Sequence, residues 1–172
     1  SFSLESSNGL TREVGFRTSY DKSSPSGIVA GMRVMVCSNL DFYGIGDDSV
    51  KTFRRHTKNS IPDIQPMIHN VVESLGEDWK STEDWYEILE NTPLDNPDTI
   101  ILNSLDEGVI GVRQLELVRN EFDAPSYEHS KNNFFTLHNA FTEAFKSYTA
   151  VSLPERSKAL KRLLTANIET YN

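Results

Sequence analysis

Cysteine is nearly missing: Cys37 is the only one in 172 residues. One thiol excludes an internal disulfide framework and any cysteine-rich metal site, and it fits a reducing compartment such as the cytoplasm. Long apolar runs are missing too. Nothing approaches the roughly 20 residues needed to cross a bilayer, so no membrane is expected. The opening stretch, Ser1 to Thr11, is polar and has no signal-like apolar centre. The four histidines (His56, His69, His129, His138) never adopt the H-x-x-x-H spacing of a helical ligand pair, and no metal is expected. There is no G-x-x-x-x-G-K-[ST], and Gly44-x-Gly46 alone does not make a phosphate cradle. No cofactor is expected.

What is present is a chain of ordinary globular composition, 37% hydrophobic and 24% charged. The length suits a single domain, 1–172, with a core of useful size. Net charge is −8, unevenly spread: residues 1–58 hold eight Lys/Arg against six Asp/Glu, and residues 59–172 hold nine against nineteen. Such a split permits a basic face on the first third, while the remainder repels polyanions.

Hydrophobic periodicity divides the chain into a β-rich part, 1–46, and a helical part, 47–172. From Val14 to Tyr20 apolar residues alternate, the period of a strand. Turn chemistry follows at Asp21 to Gly27. Ile28 to Cys37 is then apolar on one side and largely so on the other, which predicts an antiparallel hairpin. Arg33 is the charge on that segment and needs a partner or a route to water. Two strands alone are marginal, so Phe2 to Leu4, Asp41 to Tyr43 or a second chain should extend the pairing; a homo-oligomer would supply the last.

Beyond Asp48 the texture is helical. Ser49 caps a short basic helix, Val50 to Lys58. Ile68, Val71, Val72 and Leu75 fall at helical spacing over 66–75. Ser81 or Thr82 starts a helix carrying Trp85, Ile88 and Leu89, closed by Asn91-Thr92-Pro93. Asp98 to Phe122 holds one or two helices, with Val109, Val112, Leu115 and Val118 in one apolar group and a junction near Gly108 and Gly111. Asp106-Glu107 reads as an acidic pair at a helix start, where the dipole favours it. Asp123 to Ser126 is a stop. Ser130 caps the strongest helix, 131–148, whose aromatic stripe of Phe134, Phe141, Phe145 and Tyr148 forms the heart of the core. Ser152-Leu153-Pro154-Glu155 opens the last helix, with Leu160, Leu163, Leu164 and Ile168 on its apolar face. The whole predicts an α+β fold: an N-terminal antiparallel hairpin or small sheet, then a mostly helical two-thirds.

Three segments together resemble a known family. Val14 to Asp21, ending in Ser19-Tyr20-Asp21, and Gly31 to Leu40, with Arg33-Val34 and Cys37-Ser38-Asn39, are similar to the S-x-D and R-V…C-x-N core of the phage/plasmid-like family called domain of unknown function 932. Arg55-His56-Thr57-Lys58-Asn59 resembles the HT motif that follows. Thr136 to Glu143, with Asn139-Ala140-Phe141-Thr142-Glu143, resembles that family's C-terminal W-x-x-Y-N-A-x-T-E helix, with His138 in place of the tyrosine. The match spans about residues 14–165. A sizeable region that usually precedes the hairpin in the family is missing, as in a reduced or truncated member. The resemblance implies a mobile-element origin and carries over no catalytic residue.

For chemistry, the main candidate is basic. Lys51, Arg54, Arg55, His56 and Lys58 on one helix, with Arg17 and Arg33 on the hairpin beside it, form a surface able to dock on phosphates. The competing reading is a solvated face paired with the acidic second half. Cys37 with His56 or His138 makes a nucleophile-and-base pair only on paper, because a cysteine ending an apolar strand behaves as a small hydrophobe. The expected function is therefore non-enzymatic: binding a host or phage protein, or single-stranded nucleic acid. The alternative is an enzyme whose site assembles from dispersed polar residues, Arg33, Asp41, His56 and Asn139 foremost.

Overall fold

The computed structural model describes residues 80–126, 132–149 and 152–171, together with His69. For the first third it gives backbone strand runs alone, at Phe2–Glu5, Leu10–Arg17, Ser26–Val34, Asn39–Asp41 and Thr52–Arg54. The side chains of those runs, and with them the packing of the expected hairpin, lie outside the described residues.

The described body is helical. The helical run 80–91 (α1) is followed by Pro97–Asp106 (α2), Val112–Asp123 (α3), Phe134–Phe145 (α4) and Leu153–Tyr171 (α5). This corrects the α+β expectation: the described residues of 80–170 hold no strand and no sheet, and the core among them is drawn from helices and their connections. Enough aliphatic and aromatic stripes run at period 3.6 beyond residue 80 to close a core by helix packing alone.

At the centre lies α4, where every side chain except Glu143 is buried. A helix buried all round must be apolar or internally satisfied on each side, and α4 divides accordingly. Phe134, Leu137, Phe141, Ala144 and Phe145 form one face; Phe135, His138, Asn139 and Thr142 form another. Leu160, Leu163, Leu164 and Ile168 of α5, Val118 and Phe122 of α3, and Ile100 and Ile101 of α2 complete the core.

Capping residues explain the boundaries. Asn96 accepts from the Thr99 N–H at 3.4 Å and Pro97 occupies the first turn of α2. Gly108, at φ 67°, turns the chain after α2, a conformation glycine adopts without a Cβ penalty. Between the helices, Val109 and Ile110 plug into the core. Val109 thus sits in a turn, and Val112, expected on the same apolar face, stands 78% exposed as the first residue of α3.

The cap of α4 is Asn133. Its Oδ1 accepts from the Thr136 N–H at 2.9 Å and from the Thr136 hydroxyl at 3.0 Å. Ser130, the expected cap, lies outside the described residues. The Asn133 amide also donates to the Glu90 carbonyl at 2.9 Å, closing the end of α1. Leu94 N–H to Asn132 O and Phe134 N–H to Thr92 O complete this junction, at 3.0 and 3.2 Å.

Candidate functional site

The side chains of Arg17, Arg33, Lys51, Arg54, Arg55, His56 and Lys58, and of Cys37 and Asp41, lie outside the described residues. One correction still applies. The backbone of Thr52–Arg54 is extended and pairs antiparallel with Ser26–Ile28. The helix expected over Val50 to Lys58 is therefore replaced at 52–54 by a strand, on which Arg54 stands; Lys51, Arg55 and Lys58 lie outside the described residues. Of the dispersed polar set, Asn139 is described, and it is buried on the second face of α4.

That face builds a polar-aromatic cluster. His138 has no exposed surface and meets two rings edge-on: Trp85 at 5.5 Å and 84°, and Tyr86 at 5.3 Å and 89°. Tyr86 in turn meets Phe135 at 6.0 Å. Trp85 Nε1 donates to Thr165 Oγ1 at 3.1 Å, tying α1 to α5, and Lys161 Nζ lies 5.4 Å from the Trp85 ring centroid. One turn along, the Thr142 hydroxyl donates to the Asn139 carbonyl at 3.0 Å. Edge-to-face contacts and total burial pack His138 into this cluster. Among the described residues no group of three or more His, Cys, Asp or Glu is placed to hold a metal ion.

A second polar assembly locks the α2–α3 turn to α5. Tyr148 accepts from the Gly111 N–H at 2.7 Å and donates to Gln114 Oε1 at 2.8 Å, so its hydroxyl serves the N-terminus of α3, where Gly111 offers no side chain. Arg156 lies over the Tyr148 ring, 3.8 Å from its centroid, and its Nη1 donates to the Gly108 and Val109 carbonyls at 3.1 and 2.9 Å. These bonds span 34 to 48 residues in sequence, which is why local patterning assigns Tyr148 only to the aromatic stripe and gives Arg156 no role. Their chemistry is structural: every contact named here goes to backbone or to a neighbouring side chain.

The acidic pair Asp106-Glu107 stands at the opposite end of a helix from the one expected. Asp106 is the last residue of α2 and Glu107 its C-cap. The carbonyl end of a helix disfavours negative charge, so the pair is placed against the dipole. A third acidic residue of α2, Asp98, accepts from Arg119 Nε at 2.8 Å across to α3. No helix among the described residues is long and apolar enough to cross a membrane. No family model matches the chain, and neither the curated proteins nor the solved structures include a match to it.

Proposed function

We propose that the chain is a non-enzymatic binding protein of phage or plasmid origin that acts in the host cytoplasm by engaging a host or phage protein. The mobile-element origin rests on the motif resemblance across residues 14–165 to the phage/plasmid-like family of unknown function. The observation that carries the choice of partner is the charge of the helical surface. Asp84, Glu87 and Glu90 on α1, Asp98, Asp106 and Glu107 at α2, and Glu116 and Asp123 on α3 all stand exposed. A surface of that sign repels a phosphate backbone and favours a cationic protein partner.

Single-stranded nucleic acid is the second reading, kept by the basic residues of the first third. It is tested by fluorescence anisotropy with a labelled single-stranded oligonucleotide at low ionic strength. The protein reading expects no saturable binding at about 50 μM protein in low salt, since sequence-independent affinity comes from phosphate contacts. Saturable binding with a log–log salt slope near −3, reduced by about 1.4 when Arg54 and Arg55 are both replaced, would transfer the function to nucleic acid.

A further inference from the structure

We infer that the outer seam between α2 and α3 is a docking surface for a basic, aliphatic-anchored helical segment of a partner protein. This rests on the protein-binding reading and gives it a place on the molecule.

The Asp98–Arg119 pair sets the register of the two helices. It puts the start of α2 beside the end of α3, so they run antiparallel, each rising about 1.5 Å per residue. Counting from that pair, Leu102 stands level with Leu115 and Leu105 with Val112. On α2, Asp98, Leu102 and Leu105 recur three and four apart; on α3, Val112, Leu115 and Arg119 do the same. Four aliphatic side chains therefore form one ribbon across the seam. Leu105 and Leu115 are partly buried against the core, while Leu102 is 48% and Val112 78% exposed. Scattered exposed aliphatics are ordinary, but a ribbon continuous over two helices is a patch.

Its rim identifies the occupant by charge. Asp106, Glu107 and Glu116 stand exposed along it; Arg119 is already engaged by Asp98, and exposed Arg113 beside Val112 leaves the rim still net negative. Asp106 and Glu107 also crowd the carbonyl end of α2, where helix stability alone asks for cations. A lysine- or arginine-bearing segment relieves both the carboxylates and the helix end, and its aliphatic anchors cover Leu102 and Val112. An amphipathic helix with anchors at i, i+3 and i+4 has that form.

The test uses the full chain and three labelled synthetic helical peptides: leucine/lysine, leucine/glutamate and serine/lysine. Anisotropy should show saturable binding of the leucine/lysine peptide, none of the leucine/glutamate peptide, and at least about tenfold weaker binding of the serine/lysine peptide. The double variant Leu102→Ser/Val112→Ser should weaken leucine/lysine binding at least about tenfold, and Leu117→Ser less than about twofold. Leu117 is 50% exposed but lies two residues from both Leu115 and Arg119, on the far side of α3. Asp106→Asn/Glu107→Gln should weaken binding and flatten its salt dependence. All these side chains are exposed, and unchanged far- and near-ultraviolet circular dichroism confirms that the variants fold. Binding that survives the seam double variant, or that falls equally with Leu117→Ser, overturns the assignment. If the double variant still retains the partner that the wild type binds in host cells, this surface is refuted and the protein-binding reading stands.

Discussion

Asn133 joins two helices through one side chain: its oxygen caps the start of α4 and its amide closes the end of α1. Asn133→Ala removes both bonds and should cost about 1–3 kcal/mol in urea unfolding, the range for leaving buried backbone groups unsatisfied. Asn133→Asp keeps the acceptor but loses the donor to Glu90, and should cost less than the alanine. Phe141, fully buried at the centre of α4, behaves as the aromatic stripe predicts, and Phe141→Ala should cost about 3–5 kcal/mol. Asp106 runs the other way. Asp106→Asn removes a charge from the wrong end of α2 and should raise stability by about 0.3–1 kcal/mol, readable as an increase in urea midpoint at constant slope. A loss of stability would show that Asp106 makes a supporting contact within the fold.

At the scale of elements, the α2–α3 turn depends on Gly108, whose φ of 67° lies in the left-handed region. A Cβ there would meet no atom within 4 Å, so Gly108→Ala probes backbone conformation alone and should cost about 1–2 kcal/mol. Helix existence was legible in sequence because breakers punctuate the chain: Pro93, Gly108, Gly111 and Pro125 fall between elements that the structure places. Polarity at one boundary was not. Asp106-Glu107 beside a glycine suits either end of a helix locally, and the left-handed turn at Gly108 makes it an end. The cap of α4 was similarly ambiguous, since Ser130 and Asn133 are both good N-cap residues; the carbonyl of Glu90, 43 residues away, is what Asn133 additionally satisfies. The clamp of Tyr148 on Gly111 and Arg156 on the turn carbonyls was illegible for the same reason, because no periodicity encodes a bond between distant segments. Alternation over Val14 to Tyr20 and the apolar run Ile28 to Cys37 suggested an N-terminal hairpin or small sheet before a helical two-thirds, whereas the described core closes on helices.

At the scale of the molecule as described, a helical core carries an acidic exterior. His138 and Asn139 are buried around α4, and the exposed side chains of the described residues include the carboxylates of α1 to α3 together with Leu102 and Val112. On the protein-binding proposal, long-range charge steers the encounter and the apolar ribbon holds it. The most direct measurement is cross-linked co-purification of the full chain from host cells in the presence of nuclease, with protein and nucleic acid quantified in the eluate. The account predicts a stoichiometric protein partner that survives nuclease treatment and is lost as salt rises. Recovery dominated by nucleic acid before nuclease treatment, with no stoichiometric protein after it, would contradict the account.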